Sequence, residues 1–244
     1  MAKQLRGNTN EAIIKSTFLD EEVKLMIYTP EDFTPIKDYD VLICQDGQDY
    51  FQLGRLPRQI DDLIEDLEIR EVIIVGIPYP NVSERRNRYH PEQDKSAAYI
   101  QFLVKEVMPF LDENYPIQPF AQRRTLAGDS LAGTISLLTA VQYPKTFGQV
   151  MMHSPFVNDT VLHAIKNASD IQSLSIYHRI GLEETAVKTT DKQTLDFLEP
   201  NRSLKEILTN SVTDYDYDEF EGNHTWTYWQ KDLQNGLKKL LSYD

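Results

Sequence analysis

Residues Arg124-Thr125-Leu126-Ala127-Gly128-Asp129-Ser130-Leu131-Ala132-Gly133 read as a short strand, a tight turn and the start of a helix, with a serine at the apex. A serine hydroxyl is ordinarily a poor nucleophile. On a strained strand-to-helix turn it is pushed clear of the backbone and held beside a helix N-terminus. Strand and helix pass close together there, so the flanking residues must be small. Gly128, Ala132 and Gly133 meet that need, with Ala132 standing where a second glycine is usual. The competing reading of Ser130 is a plain helix N-cap.

Outward from this turn the chain alternates. Two strand-like segments, 12–19 and 23–28, flank Asp20-Glu21-Glu22 and read as an antiparallel hairpin. The apolar runs 41–45 and 71–77 are typical of strands buried on both faces. Helical spacing runs through 56–67 and, at greatest length, through 94–115. An arginine-rich stretch bounded by prolines, 78–91, reads as a loop. Beyond the serine come a helix over 131–142, strands at 150–153 and 174–179, and a helix over 193–208 interrupted near Pro200. An edge strand at 212–220 and a closing amphipathic helix over 226–241 follow. The pattern predicts one α/β domain across residues 1–244. Its central sheet is mostly parallel, with helices on both faces and an antiparallel N-terminal hairpin. Chemistry in such sheets gathers at the carboxyl ends of the strands, where Ser130 falls.

The bulk properties exclude several classes. Hydrophobic residues make up 41% of the 244, an ordinary globular value. Basic residues number 25 against 38 acidic ones, a net charge of −13, which argues against nucleic acid or an anionic membrane as a partner. Cys44 is the single cysteine, so no disulfide can form within the chain, and its apolar surroundings mark it as a buried small hydrophobe. The N-terminus lacks the apolar stretch of a signal peptide, and no run approaches membrane-spanning length. A cytoplasmic location is expected. No H-E-x-x-H motif or clustered His/Asp spacing is present, so neither a metal nor another cofactor is expected.

A serine nucleophile needs a base, and the base needs an orienting acid. Of five histidines, His224 sits in the polar loop Glu221-Gly222-Asn223-His224-Thr225-Trp226, between the last strand and the last helix. From there an imidazole can come within hydrogen-bond reach of Ser130. The acid is expected after the strand that ends in Gly181. Glu184, the third residue past that glycine, is the first choice, with Glu183 as the alternative. An oxyanion hole needs two donors. The backbone N–H of Leu131 is one. The turn Gln45-Asp46-Gly47-Gln48 supplies the other, the N–H of Gln48, with Gly47 permitting the tight turn.

Several short motifs then carry a resemblance. They are Asp46-Gly47-Gln48, the arginines before Tyr89, Met108-Pro109-Phe110 and Asn114-Tyr115. The elbow itself, Tyr143-Pro144, Phe147-Gly148, and Gly222-Asn223-His224 with Trp226 and Trp229 complete the set. With these the chain resembles the α/β-hydrolase esterases of the enterochelin esterase and esterase D type, related also to the mycolyltransferases. The resemblance implies an α/β-hydrolase fold and a metal-free carboxylic ester hydrolase with a Ser–acid–His triad. It implies Ser130 as nucleophile, His224 as base, and Leu131 with Gln48 as oxyanion donors. An aspartate is often the acid in this group, whereas glutamates stand after Gly181 here. Short-acyl or siderophore-type esters are the implied substrates. Arg88 would meet an anionic alcohol portion, although surface salt bridges account equally for the arginine stretch. Tyr50 would line the acyl side, and Trp226 is a further candidate contact beside its role in core packing. Ala132 and the glutamate acid leave room for a different class, a catalytically silent binding protein on the same fold.

Overall fold

The computed structural model describes residues 5–243. The first strands form the expected hairpin. β1 (Asn8–Ser16) and β2 (Glu21–Thr29) pair antiparallel, and Asp20 takes the left-handed turn between them at φ 55°. Val23, Leu25 and Ile27 of β2 point inward while Lys24 stays exposed, the alternation of a strand with one covered face.

From β3 (Asp40–Gln45) strands and helices alternate. α1 (Gly47–Gln52) and α2 (Leu56–Glu65) lead to β4 (Val72–Ile77). α3 (Val82–Tyr89), α4 (Ser96–Phe102) and α5 (Met108–Asn114) precede β5 (Arg124–Asp129). α6 (Leu131–Gln142), β6 (Gln149–His153), α7 (Asp159–Lys166) and β7 (Ser175–Gly181) follow. A small antiparallel hairpin of β8 (Val187–Lys188) and β9 (Thr194–Leu195) comes next. α8 (Leu198–Ser211), β10 (Asp214–Phe220) and α9 (Trp226–Leu241) close the chain.

Eight strands make one sheet in the order β1-β2-β4-β3-β5-β6-β7-β10. β2 meets β4 antiparallel, and all the pairings beyond are parallel. β3 and β4 are buried along their whole length because both faces are covered. Val41, Ile43, Ile73 and Val75 share a core with Phe102, Ile135 and Leu204. Leu42, Cys44, Val72 and Ile74 share the opposite one with Ile60, Leu63, Leu233 and Leu237. Cys44 is thus a core residue, and its burial pushes the thiol well above its usual range. Among the described residues no helix is long and apolar enough to cross a membrane.

Three segments differ from the sequence expectation. The arginine-rich stretch is helix α3, not loop. Asn81 caps it by accepting from the Glu84 N–H at 2.9 Å, but Val82 and Tyr89 are its only apolar residues, so no periodicity betrays it. The helix over 94–115 is α4 and α5 joined by a π-helical stretch, Leu103–Val107. Pro109 has no N–H to give the preceding turn, and the helix widens just before it. The expected break at Pro200 is absent: α8 starts at Leu198, so Pro200 falls in a first turn that needs no N–H from it.

The elbow forms as read. Ser130 has φ 53° and ψ −128°, a conformation costly for a residue with a Cβ. A Cβ added to Gly128 would lie 2.2 Å from the Ala132 carbonyl carbon, so strand and helix touch there without side chains between them. Ala132 is fully buried at the position where a second glycine is usual.

Candidate active site

A cleft of about 260 Å³ opens where β3, β5, β6 and β10 end. Ser130, Leu131, His224 and Trp226 line it, so the turn after β5 and the loop after β10 meet across it. A larger groove of about 460 Å³, around Leu138, Tyr143 and Ala168 at the far end of α6, holds none of the candidate residues.

The acid side of the cleft is fully specified. Glu184 is buried, and its Oε2 lies 2.6 Å from His224 Nδ1. Its Oε1 accepts from Ser154 Oγ at 2.6 Å and from the Gly181 N–H at 2.9 Å. Glu183 is exposed, and its N–H donates to the Gly222 carbonyl at 3.0 Å. Of the two glutamates, therefore, only Glu184 touches the imidazole. The Glu184 N–H returns to the Gly181 carbonyl at 3.2 Å, a tight turn that puts the third residue past the glycine beneath the histidine. Phe197 and Trp229 stand edge-on to the His224 ring, with centroids 4.7 and 4.9 Å away.

On the serine side, the Ser130 N–H donates to the His153 carbonyl at 2.9 Å. Ser130 lines the same cleft as His224, and among the described residues no hydrogen bond joins the two side chains. Such contacts commonly tighten only when substrate binds. The Leu131 N–H heads α6, where first-turn donors lack an intrahelical acceptor.

Gln48 is the second residue of α1, in the same free first-turn position. Asp49, the next residue, already donates its N–H to the Asp46 carbonyl at 2.8 Å. The turn differs in detail from the expectation. The left-handed residue is Asp46, at φ 55°, and not Gly47. Gly47 is required for space instead, since a Cβ there would sit 2.4 Å from the Gly76 backbone.

Three aspartates and one arginine shape the field beside this turn. Asp46, Asp49 and Arg85 line the cleft with Asp129. Burial raises the Asp46 carboxyl, and Arg85, with Nη2 at 2.6 Å, pulls it back. Burial also opposes the charge on Arg85, but the attraction of Asp46 more than offsets it and the guanidinium is held still more firmly protonated. Asp129 is pushed well above the usual carboxylate range, by burial first and by the neighbouring charge of Asp46 second.

Two expected substrate contacts lie elsewhere. Arg88 is 2% exposed, with Nη2 2.8 Å from Glu21 Oε2; it ties α3 to the N-terminal hairpin and does not line the cleft. Arg85 and Arg86 are the arginines of α3 that line it, and Arg86 reaches Asp191, in the turn of the β8–β9 hairpin, at 2.9 Å. Tyr50 is fully buried, its ring edge-on to Trp226 at 4.9 Å, so it backs the cleft wall and does not form it. Trp226 is in the wall. Phe156, Val187, Lys188, Leu195 and Phe197 also line the cleft and had no sequence signal, because two-residue strands and single loop aromatics leave no periodic trace.

Comparison with known proteins identifies a family. The sequence pattern of the family described as Putative esterase matches residues 16–240. The uncharacterized protein YjcH of Bacillus subtilis is 49% identical over 235 residues, covering 96% of this chain and 98% of that one. An acetyl esterase of Caldicellulosiruptor saccharolyticus is 24% identical over 72% of this chain and 74% of its own. The crystal structure of the enterochelin esterase of Shigella flexneri superposes with a TM-score of 0.79 at 20% identity, over 95% of this chain and 57% of that one. That last likeness carries the α/β-hydrolase fold. With a family match that spans both Ser130 and His224 and a full-length relative at 49% identity, the chain belongs to the Putative esterase family.

Proposed function

We propose that the chain hydrolyses short-acyl or polar carboxylic esters through a Ser130–His224–Glu184 triad. The observation that carries this reading is the 2.6 Å hydrogen bond between His224 Nδ1 and Glu184, on an imidazole that shares its cleft with the elbow serine. Glu184 fixes the tautomer in which Nδ1 carries the proton, so Nε2 is left as the base. Ser130 Oγ attacks the acyl carbon as its proton passes to Nε2. The carbonyl oxygen becomes an oxyanion, held by the N–H groups of Leu131 and Gln48. The alcohol leaves with the proton from Nε2. Water then attacks the acyl-enzyme with His224 again as base, releasing the acid and restoring Ser130.

The cleft's size supports a small acyl group. Its lining supports a polar alcohol portion, with Arg86 and Lys188 beside the apolar Phe156, Phe197 and Trp226. A multi-ester of the siderophore type fits that description, with the anionic contact moved from Arg88 to Arg86.

A fluorophosphonate probe tests the nucleophile. Labelling is expected on Ser130 alone, and Ser130→Ala is expected to lose both label and ester turnover, the latter by roughly 10⁴-fold or more. Persistent labelling of the Ser130→Ala protein refutes the assignment. A chain-length series of nitrophenyl esters tests the substrate class. Efficiency that climbs steadily to long acyl chains removes the short-acyl reading.

A further inference from the structure

The carboxyl end of β6 carries two consecutive residues that touch both halves of the site. The His153 carbonyl accepts the Ser130 N–H at 2.9 Å. The next residue, Ser154, donates its hydroxyl to Glu184 Oε1 at 2.6 Å. Ser154 has φ 48°, a left-handed conformation that costs a non-glycine residue of order 1 kcal/mol or more. It is fully buried, and its N–H is fastened to the Arg179 carbonyl at 2.7 Å. The hydroxyl has a second partner, Trp229 Nε1 at 3.1 Å.

The direction of this chain is settled by chemistry. An indole N–H can only donate, so Ser154 Oγ accepts from Trp229 and its single proton is free for the carboxylate. We infer that Ser154 and Trp229 are positioning residues of this esterase. They form a relay that holds Glu184 in one orientation under His224 and keeps the negative charge dispersed on it. The inference rests on the triad reading above and extends it to groups that act on the reaction through Glu184.

Two effects follow for the chemistry. With Ser154 and Gly181 donating to Oε1, only Oε2 is left to face the imidazole, which fixes the ring's orientation toward Ser130. Donated hydrogen bonds also weaken the carboxylate's pull on a proton. A carboxylate whose charge is dispersed in this way holds the imidazolium formed during the reaction less tightly than a bare one would. Trp229 adds a wall, since the same indole whose N–H braces Ser154 stands edge-on to the His224 ring.

The test is a pH profile of kcat and kcat/KM on nitrophenyl acetate for Ser154→Gly, Trp229→Phe, Glu184→Gln and the parent protein. Glycine is chosen because it accepts φ 48° without strain, so loss of the hydroxyl and its Cβ carries no added backbone penalty. Ser154→Gly is expected to lower kcat about 10- to 100-fold with KM nearly unchanged, as for a slightly misplaced reacting group. Its acid limb is expected to move to higher pH, because a carboxylate that has lost a donated hydrogen bond holds the imidazolium more tightly. Trp229→Phe removes the N–H while keeping an aromatic ring, though a smaller one; a smaller change in the same direction is expected, and its acid limb reads the relay independently should the glycine protein fail to fold. Parent-like kcat and acid limb in both variants, with Glu184→Gln crippled, overturns the relay and leaves the triad standing. A fall in kcat with an unmoved acid limb likewise overturns it, leaving Ser154 a packing role. Parent-like turnover in Glu184→Gln takes the triad and the relay down together.

Discussion

Arg85 Nη2 lies 2.6 Å from Asp46 Oδ2, a buried ion pair that joins helix α3 to the turn after β3. The turn leads directly into α1, whose second residue is the proposed oxyanion donor Gln48, so the pair anchors the segment that carries it. Removing one partner leaves the other charge buried and alone, a cost of about 3 kcal/mol or more. Arg85→Met is therefore expected to lower stability by that order and to lower kcat more than it raises KM. Urea denaturation and steady-state kinetics check it. A KM effect alone would place Arg85 on the substrate and not on the turn.

Arg86 and Arg88 are expected to separate cleanly. Arg88→Met breaks the contact with the half-buried Glu21, destabilises by about 2 kcal/mol, and leaves the kcat/KM of the folded protein unchanged. Arg86→Ala is expected to raise KM for an anionic ester several-fold and to leave a neutral short ester alone. Equal losses on both esters would remove Arg86 from substrate recognition.

The strain at Ser130 is measurable apart from catalysis. At φ 53° and ψ −128° glycine is comfortable and alanine is not. Ser130→Gly and Ser130→Ala are both expected to be inactive, with the glycine protein more stable by about 1 kcal/mol. Equal melting temperatures would show that the elbow holds no such strain.

His178 is expected to make the fold acid-sensitive. It is fully buried, its Nε2 2.8 Å from Asn201 Oδ1 and its Nδ1 2.8 Å from the Tyr215 hydroxyl. Asn201 Nδ2 donates to the Pro155 and Phe197 carbonyls, so its Oδ1 accepts from the imidazole, and a neutral ring satisfies both contacts. Burial is the main cause that drives its pKa down to about 3. The unfolded chain takes up a proton near 6.5 while the folded one does not, so stability is full above that pH and falls as pH drops toward 3. A loss on the order of 2 kcal/mol is expected between pH 6.5 and 5. Urea midpoints across that range check it, and a flatter slope is expected in His178→Gln.

Much of the candidate site was legible because the relevant signals are local. The elbow needs small residues at fixed offsets from Ser130, and Gly128, Ala132 and Gly133 stand at those offsets. The two helices that bound the site, Leu131–Gln142 and Trp226–Leu241, were readable to the residue. The hairpin, the buried strands and the position of His224 between last strand and last helix follow from periodicity and chain order. The choice between Glu183 and Glu184 stayed open at that level, since neighbouring residues in a turn differ only in which way they point.

Tertiary packing decided what periodicity cannot carry. Arg86 and Arg88 are two residues apart and look alike in a polar stretch; wound into α3 they stand roughly 200° apart, so one lines the cleft and the other is buried against Glu21. Tyr50 reads as a wall residue by its nearness to Gln48, but α1 turns it under Trp226. Ser154, Trp229 and Glu184 lie on three separate elements, and only the parallel register of β6 and β7 with α9 packed behind them brings the three together. The sequence alone marked the hairpin, the buried strands, the elbow and the candidates Ser130, His224 and Glu184, because burial patterns and turn sterics act over a few residues. Which side chains meet was decided only by the tertiary structure, because contacts between distant segments depend on how whole strands and helices pack.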